Sequence, residues 1–305
     1  MHFRTLGGAL LAALLLAGTS STARAQLEVV TSTTDLYDIA KAVGGDRIEA
    51  SHISEGYQDP HFVEAKPSYV LQLRDADVFA FVGLDLEVGW MSLLLEGSRN
   101  AKITAGSPGH LDVSKTIPVL DVAPGRVDRS QGDVHPLGNP HYWLDPDNAK
   151  RIAVLFQRTF TALDRAGAAT YARNAADFAA RLDAASAEWE SQLAQIRGKP
   201  VVAWHTSWRY FAQYTGMNIV GFVEPKPGVP PSAQHLAGLI QTMRRTGAKV
   251  IVMEPFYDRK VADRIAGLTG ATVLVLPPSV GGIKGVDSYI DLMRHNLTTL
   301  ARALS

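Results

Sequence analysis

Short, uninterrupted apolar segments that alternate with helical patterns constrain the fold of this chain more than any other feature. In LEVVTSTTDLYDIAKAV an apolar strand leads into a helix that Thr33, Thr34 or Asp35 can cap. Further strand-like segments lie at 48–53, 77–82, 201–204, 219–223, 250–253 and 272–276. Helical patterns fall between them, for example at 68–74, 86–96 and 233–245. Apolar strands that alternate with helices are typical of parallel sheets covered on both faces, so the sequence predicts an α/β fold.

One predicted helix is much longer than the others. Its apolar residues recur in steps of three and four, which places them on one face of a single helix: Tyr171, Ala175, Phe178, Leu182, Ala185, Trp189, Leu193 and Ile196. Gly198 and Pro200 then end the helix. A helix over 168–197 is about 45 Å long at 1.5 Å per residue. We expect it to be a rigid connector between two lobes, each with a parallel sheet flanked by helices, at 26–166 and 198–305, with 167–197 as the connection.

The first 25 residues have the pattern of a secretory signal peptide. Arg4 supplies the positive start, 6–17 is an apolar segment, and Ala23-Arg24-Ala25 is a small-x-small cleavage site. The apolar segment is too short to span a bilayer. We therefore expect cleavage after Ala25 and export to the periplasm.

Composition narrows the possible partners and ligands. The chain has no cysteine, which excludes disulfides, thiolate zinc sites and a lipid-anchored cysteine at the cleavage point. It has 30 basic and 30 acidic residues, and removal of Arg4 and Arg24 with the signal leaves 28 against 30. A near-neutral chain gives no indication of a nucleic-acid partner or an anionic membrane. Any metal site must use nitrogen and oxygen ligands.

Three histidines are candidate ligands, and two of them, His61 and His205, are expected beyond the carboxyl ends of strands, where ligands of open parallel sheets bind. His61 follows a proline in QDPHFVEAKPS, His141 follows another in NPHYW, and His205 ends the strand VVAWH. Ligands of open parallel sheets lie beyond the carboxyl ends of strands, and a preceding proline restrains the backbone that carries a ligand. A single loop histidine is more often a surface or hydrogen-bonding residue. Separations of 80 and 64 residues match no local metal motif, so spacing alone leaves both interpretations open.

Four segments resemble one family of proteins. QDPHFVEAKPS resembles the DPH-x-x-x-x-P segment of the metal-specific substrate-binding proteins of zinc and manganese ABC importers, the ZnuA/TroA-like family. NPHYWLDPDNA and VVAWHTSWRYFAQYTGM are similar to the segments that carry the family's second and third ligands, and SYIDLMRHNL is similar to its closing helix. The order and spacing agree over essentially the whole chain after the signal peptide, including the long connecting helix.

The resemblance implies a ligand set. It makes His61, His141 and His205 metal ligands, and three neutral imidazoles favour Zn²⁺ over Mn²⁺, which prefers more oxygen. The family's fourth ligand is an aspartate in a segment resembling T-D-S, whereas this chain has LPPSVGG with no carboxylate. Glu254 is the first candidate to replace it, either as a ligand or as a residue that orients an imidazole. Water competes with it, and Glu224 and Asp59 follow.

A further histidine precedes the second ligand segment. Zinc-binding relatives often carry a histidine-rich acidic loop there, whereas this chain has DRSQGDVHPLG with His135. We interpret His135 as a solvated loop histidine, with transient metal capture as the alternative. The surrounding segment 107–137 is rich in Pro, Gly and Asp and is predicted to be an irregular surface loop.

The resemblance implies a protein that binds zinc in the periplasm and delivers the ion to an inner-membrane ABC permease. We expect it to be a monomer and not an enzyme. Two alternatives stay open. Three histidines and an open water position also form the zinc site of a hydrolase or hydratase. A zinc-buffering chaperone or a surface adhesin would use the same site without an importer.

Overall fold

A computed structural model describes residues 26–123, 125, 135–226 and 228–305. The predicted signal peptide and most of the histidine-containing segment DRSQGDVHPLG lie outside these ranges. None of the helices in the described part of the chain has the length and apolar character needed to cross a bilayer.

The protein contains two four-stranded sheets in which every neighbouring pair of strands is parallel. The strands are β1 (Leu27–Thr31), β2 (Ile48–His52), β3 (Val78–Phe81), β4 (His110–Asp112), β5 (Pro200–Ala203), β6 (Asn218–Phe222), β7 (Val250–Met253) and β8 (Thr272–Val275). The strand orders are β2-β1-β3-β4 and β6-β5-β7-β8, so both lobes use the same topology. The predicted α/β fold with one parallel sheet in each lobe is confirmed.

Ten helices cover these sheets in the described part of the chain. They are α1 (Thr34–Gly44), α2 (Pro67–Asp75), α3 (Met91–Ser98), α4 (Pro146–Leu163), α5 (Ala168–Glu188), α6 (Glu190–Ile196), α7 (Arg209–Thr215), α8 (Ala233–Thr246), α9 (Lys260–Thr269) and α10 (Tyr289–Leu304). The N-cap of α1 is Thr33, whose side chain accepts a hydrogen bond from the Leu36 N–H.

The strand β4 lies inside the segment predicted to be an irregular loop. It pairs with β3 at the edge of the first sheet and has only three residues, all of them half-buried. A short edge strand that contains a histidine and an aspartate has no continuous apolar pattern, which is why the sequence does not predict it.

The strand side chains alternate between two packed faces. In β3, Val78 and Ala80 point into a core shared by both lobes, whereas Phe79 and Phe81 point into a second core beneath α2 and α3. In the second sheet, β7 divides its residues in the same way between the shared core and a core beneath α8 and α9. Because both faces of each sheet are buried, the central strands β3 and β7 are apolar at every position.

The largest core extends across both lobes. It joins Val29 of β1, Phe178 of α5, Val201 of β5 and Leu300 of α10 in one buried cluster. Each lobe therefore has a core of its own, and both lobes also contribute to one shared core. The length of the sequence does not predict this sharing. A continuous packed interior of this kind resists wide hinge opening.

The connecting helix is present but is divided in two. The predicted single helix over 168–197 is α5 followed by α6, with Trp189 between them. The Trp189 N–H donates to the carbonyls of both Ala185 and Ser186, each at 3.2 Å, which marks a locally tightened turn. The buried stripe continues across this turn through Trp189 to Ile196. The lobe boundaries at 26–166 and 198–305 stay a prediction.

The start of α1 forms hydrogen bonds with the second lobe. The Thr34 hydroxyl donates to the Val280 carbonyl at 2.7 Å, and the Val280 N–H donates to Asp35 Oδ1 at 3.0 Å. Asp35 is fully buried, and this burial raises the pKa of its carboxyl group to about 7 despite the hydrogen bonds it accepts. A neutral carboxyl group therefore lies at the contact between the lobes below pH 7.

The raised pKa of Asp35 predicts a pH-dependent stability. Asp35 ionises near its ordinary pKa of 3.8 in the unfolded chain but only at about 7 in the folded protein. Its contribution to stability is therefore fully present below about pH 4 and is lost as the pH rises through 7. We expect Asp35→Asn to remove a fall in unfolding free energy on the order of 2 kcal/mol between pH 5 and pH 8. Urea unfolding of both proteins at each pH measures this, and parallel pH profiles would contradict it.

Candidate metal centre

The three predicted histidines meet in the cleft between the lobes. His61 lies in the loop after β2, His141 precedes a 3-10 turn at Tyr142–Leu144, and His205 directly follows β5. Each offers one ring nitrogen, and these three nitrogens lie within 4.8 Å of one another. The structure thus brings together two imidazoles from the first lobe and one from the second, from positions that are far apart in the chain.

Each Pro-His pair belongs to a three-residue unit. The Asp59 Oδ1 atom accepts hydrogen bonds from the His61 N–H at 3.0 Å and from His61 Nδ1 at 2.6 Å. Asn139 Oδ1 accepts the same two bonds from His141, both at 3.0 Å. The intervening proline fixes one backbone angle of this turn. An aspartate or asparagine two residues before the histidine is therefore a sequence signal that accompanies each Pro-His pair.

His205 has a carboxylate partner instead. Its Nδ1 atom lies 2.9 Å from Oε2 of Glu224, which follows β6. Because the Asp59, Asn139 and Glu224 oxygens only accept hydrogen bonds, each ring must carry its proton on Nδ1. The Nε2 lone pairs of all three rings are therefore free to coordinate a cation.

The Nε2 atom of His205 gives a direct test of whether this site suits a metal ion. It is buried and has no hydrogen-bond partner among the described residues. Buried polar atoms are rarely left unpaired without a reason, and a divalent cation would satisfy this one. The donor set of three neutral imidazoles fits Zn²⁺.

The charges near the histidines also suit a cation. Burial acts to raise the pKa of Asp59, but its hydrogen bonds with His61 and the charges of His61 and His205 lower it overall, so the carboxylate is ionised. Burial, together with the neighbouring histidines, lowers the pKa of His141 well below its usual value. Imidazoles that bind through Nε2 and are hydrogen-bonded to the carboxylates of Asp59 and Glu224 can hold a divalent ion without a carboxylate ligand.

Glu254 lies near the site at the end of β7. In the order β6-β5-β7-β8, the chain runs from β5 outward to β6 and then returns to form β7 on the other side of β5. Ligands of such sheets bind in the crevice between these two neighbouring strands, and His205 and Glu254 lie at their carboxyl ends. Glu254 is fully buried, and burial raises the pKa of its carboxyl group to about 8 in spite of the adjacent Ser207 hydroxyl. Within the described residues, the group of ligand atoms that lie within 4.8 Å of one another includes no oxygen of Glu254. Its role as the fourth ligand stays a prediction.

The interpretation of His135 as a solvated histidine is wrong. Its side chain is buried, with Nδ1 2.9 Å from the Leu84 carbonyl and Nε2 3.1 Å from Nε2 of His61. Burial, followed by the charges of His61 and His205, lowers the pKa of His135 to about 3, so this ring is neutral. The sequence contained a weak signal for it, because HPLGNPH places a second histidine next to a proline, in the reverse order, only six residues before His141.

Aromatic side chains and the second lobe close the cleft around the three imidazoles. Trp143, Phe256 and Tyr257 line it beside Pro278. The Trp143 indole N–H donates to the Pro278 carbonyl at 2.8 Å, which fixes the segment after His141 against the second lobe. Exclusion of water by these rings strengthens electrostatic interactions at the site.

Comparison with known proteins identifies the family. A family model described as zinc-uptake complex component A, periplasmic (ZnuA), matches residues 29–303. The chain belongs to the ZnuA family. This confirms the resemblance inferred from the four sequence segments. The family consists of metal-transport components and is not a family of enzymes.

The names of the similar proteins refer to zinc in some cases and to manganese in another. The manganese-binding lipoprotein MntA of Halalkalibacterium halodurans is 26% identical over 92% of this chain and 89% of its own length. ZnuA of Brucella suis is 30% identical over 54% of this chain and 50% of its own length. The zinc-binding lipoprotein AdcA of Streptococcus pneumoniae is 26% identical over 90% of this chain and 55% of its own length. The chain thus spans about half the length of the ZnuA and AdcA relatives.

Solved structures share the fold. A crystal structure of ZnuA superimposes with a TM-score of 0.76 at 24% identity, over 92% of this chain and 100% of the other. A zinc-bound ZnuA with residues 138–173 deleted gives a TM-score of 0.76 at 25% identity, over 92% of this chain and 99% of the other. The arrangement of two lobes joined by a long helix is therefore that of ZnuA-type proteins.

Proposed function

We propose that this protein binds Zn²⁺ in the periplasm and delivers it to an inner-membrane ABC permease. The observation that carries the proposal is the convergence of three imidazole nitrogens, from both lobes, within 4.8 Å of one another. His61, His141 and His205 bind the ion through Nε2. Residues 1–25 direct export and are removed by cleavage after Ala25, and the protein acts as a monomer with no nucleic-acid partner.

Zinc is the proposed cargo in preference to manganese. The names of the ZnuA and AdcA relatives refer to zinc, whereas that of MntA refers to manganese. Mn²⁺ favours oxygen ligands, and in this site the Asp59 and Glu224 oxygens hydrogen-bond to imidazoles. A donor set dominated by nitrogen suits Zn²⁺ at about 2.0–2.1 Å.

The shared core supports a delivery mechanism with little movement. Zn²⁺ held by His61 and His141 of the first lobe and by His205 of the second favours the arrangement in which the lobes are closest. Because the lobes share one packed interior, the change on binding is a small adjustment around the cleft. The permease distinguishes the loaded and empty proteins by this adjustment.

Growth under zinc limitation tests the proposal. Deletion of the gene from its host should slow growth in chelator-treated medium, and added zinc should restore growth where added manganese does not. The wild-type gene should complement the deletion, whereas a gene encoding His205→Ala should not. Normal growth of the deletion strain would contradict an importer role and favour zinc buffering or adhesion. A defect that zinc cannot relieve, with ester or bicarbonate turnover above free-zinc controls, would favour the enzyme alternative.

A further inference from the structure

A fourth imidazole faces the three-histidine group. The Nε2 atoms of His135 and His61 are 3.1 Å apart. His135 Nδ1 lies 2.9 Å from the Leu84 carbonyl and His61 Nδ1 lies 2.6 Å from Asp59 Oδ1, so both rings carry their protons on Nδ1. Two nitrogen lone pairs therefore point at each other in a buried cleft. This contact is repulsive unless a proton or a cation lies between them.

The separation of the two nitrogens suits a shared metal ion. Two nitrogen ligands on one tetrahedral Zn²⁺ at 2.0–2.1 Å are about 3.3 Å apart, close to the observed distance. Three ligands leave one position of a tetrahedral ion open, and within the described residues the 4.8 Å group contains three histidines and no carboxylate. A nitrogen that already faces His61 can take the open position.

The three grouped rings form a nearly regular triangle, and the His135 ring lies beside its His61 corner. The ring centroids of His61, His141 and His205 are 5.1–5.6 Å apart. The His135 ring lies 5.2 Å from His61, within that range, and 6.3 Å from His141. His135 is not in the 4.8 Å group, and an inward shift of about 1 Å would make its ring separation from His141 equal to that from His61.

A strained turn orients His135. Gly83, Leu84 and Asp85 have φ values of 79°, 53° and 65°, which are unfavourable for residues other than glycine. The turn directs the Leu84 carbonyl at His135 Nδ1, and the buried carboxyl group of Glu87 accepts two main-chain N–H bonds at its start. Strained left-handed residues are kept where the surrounding structure holds them in place. Here the strained turn places the carbonyl that orients the His135 ring.

We propose that His135 is the fourth zinc ligand, completing a site of four imidazoles with its Nε2 atom. The inference rests on the proposed zinc-binding function. The carboxylates of Asp59 and Glu224, hydrogen-bonded to His61 and His205, supply the two negative charges that balance the ion. Anchoring of Nδ1 by a carbonyl is not itself diagnostic, because His52 Nδ1 lies 3.1 Å from the Ser54 carbonyl and the His52 ring packs against Tyr37.

X-ray absorption at the zinc edge tests this assignment on the wild-type protein. The zinc-loaded protein should show four nitrogen neighbours at about 2.0 Å with multiple scattering from four imidazoles. His135→Gln should show three imidazoles and one oxygen, and should bind zinc about 100-fold more weakly in a chelator competition. His52→Ala is the matched control and should match the wild type in both measurements.

The outcomes separate this inference from the proposed function. Three imidazoles and an oxygen in the wild type, or an unchanged affinity in His135→Gln, would overturn the role of His135. If His205→Ala weakens binding in the same experiment, zinc binding by the other histidines stands. If neither variant changes zinc binding, both the ligand assignment and the proposed function fail. The wild-type spectrum decides the assignment even if a variant does not fold.

Discussion

Replacement of His205 with alanine should lower the zinc affinity of the protein by at least about 100-fold, since loss of even an outer partner of a metal ligand costs 10–100-fold. Of the three grouped histidines, His205 is the one from the second lobe, so its loss removes both a ligand and the bridge between the lobes. Competition against a chromophoric zinc chelator measures the affinity, and metal analysis measures the stoichiometry. We expect one zinc ion per chain in the wild type.

The control for this variant is His52→Ala. His52 is also held through Nδ1 by a main-chain carbonyl, at 3.1 Å, but its ring packs against Tyr37 with centroids 5.1 Å apart. Its removal should leave zinc binding unchanged. Equal affinities for the wild type and His205→Ala would remove His205 from the site and with it the proposed bridging of the lobes.

Zinc should also raise the thermal stability of the protein by roughly 10 °C. A ligand at 1,000 times its dissociation constant stabilises the folded state by about 4 kcal/mol, and each kcal/mol raises the Tm of a domain of this size by about 2–4 °C. The unfolded chain separates His61, His141 and His205, so it cannot match this affinity. Differential scanning calorimetry with zinc, with manganese at the same concentration and with excess chelator measures the effect.

Comparison of variants shows whether the stabilisation arises at the site. The rise in Tm should be lost in His205→Ala and retained in His52→Ala, and it should be smaller with manganese than with zinc. An equal rise in His205→Ala would mean that zinc stabilises the fold from another location. Absence of any rise in the wild type would contradict tight binding.

The sequence predicts the central fold because burial on both faces leaves a clear pattern. Strands such as β7, which is buried at all four positions, are continuous apolar segments that can be identified without a structure. The edge strand β4 is half-buried, has one apolar residue between a histidine and an aspartate, and has no such pattern. The break at Trp189 is equally invisible, because the apolar stripe continues through it and the change affects only main-chain hydrogen bonds. The sharing of one core by both lobes depends on tertiary packing that periodicity does not encode.

The candidate site was only partly predictable. Pro-His pairs and family resemblance identified His61 and His141, but the shared use of Oδ1 by ring and main chain in Asp59 and Asn139 became clear only from the geometry. The burial of His135 depends on contacts with Leu84 and His61, which lie 51 and 74 residues away in the chain. The adjacent proline draws attention to His135, but long-range contacts of this kind leave no local signal of burial.

Diffraction from zinc-loaded crystals on both sides of the zinc absorption edge shows whether one ion lies between the lobes. We expect a single anomalous peak in the cleft, about 2.0–2.1 Å from the Nε2 atoms of His61, His141 and His205. A peak elsewhere on the molecule, or one bound by His61 and His141 but beyond coordination distance of His205, would contradict the claim that one ion is held between the two lobes.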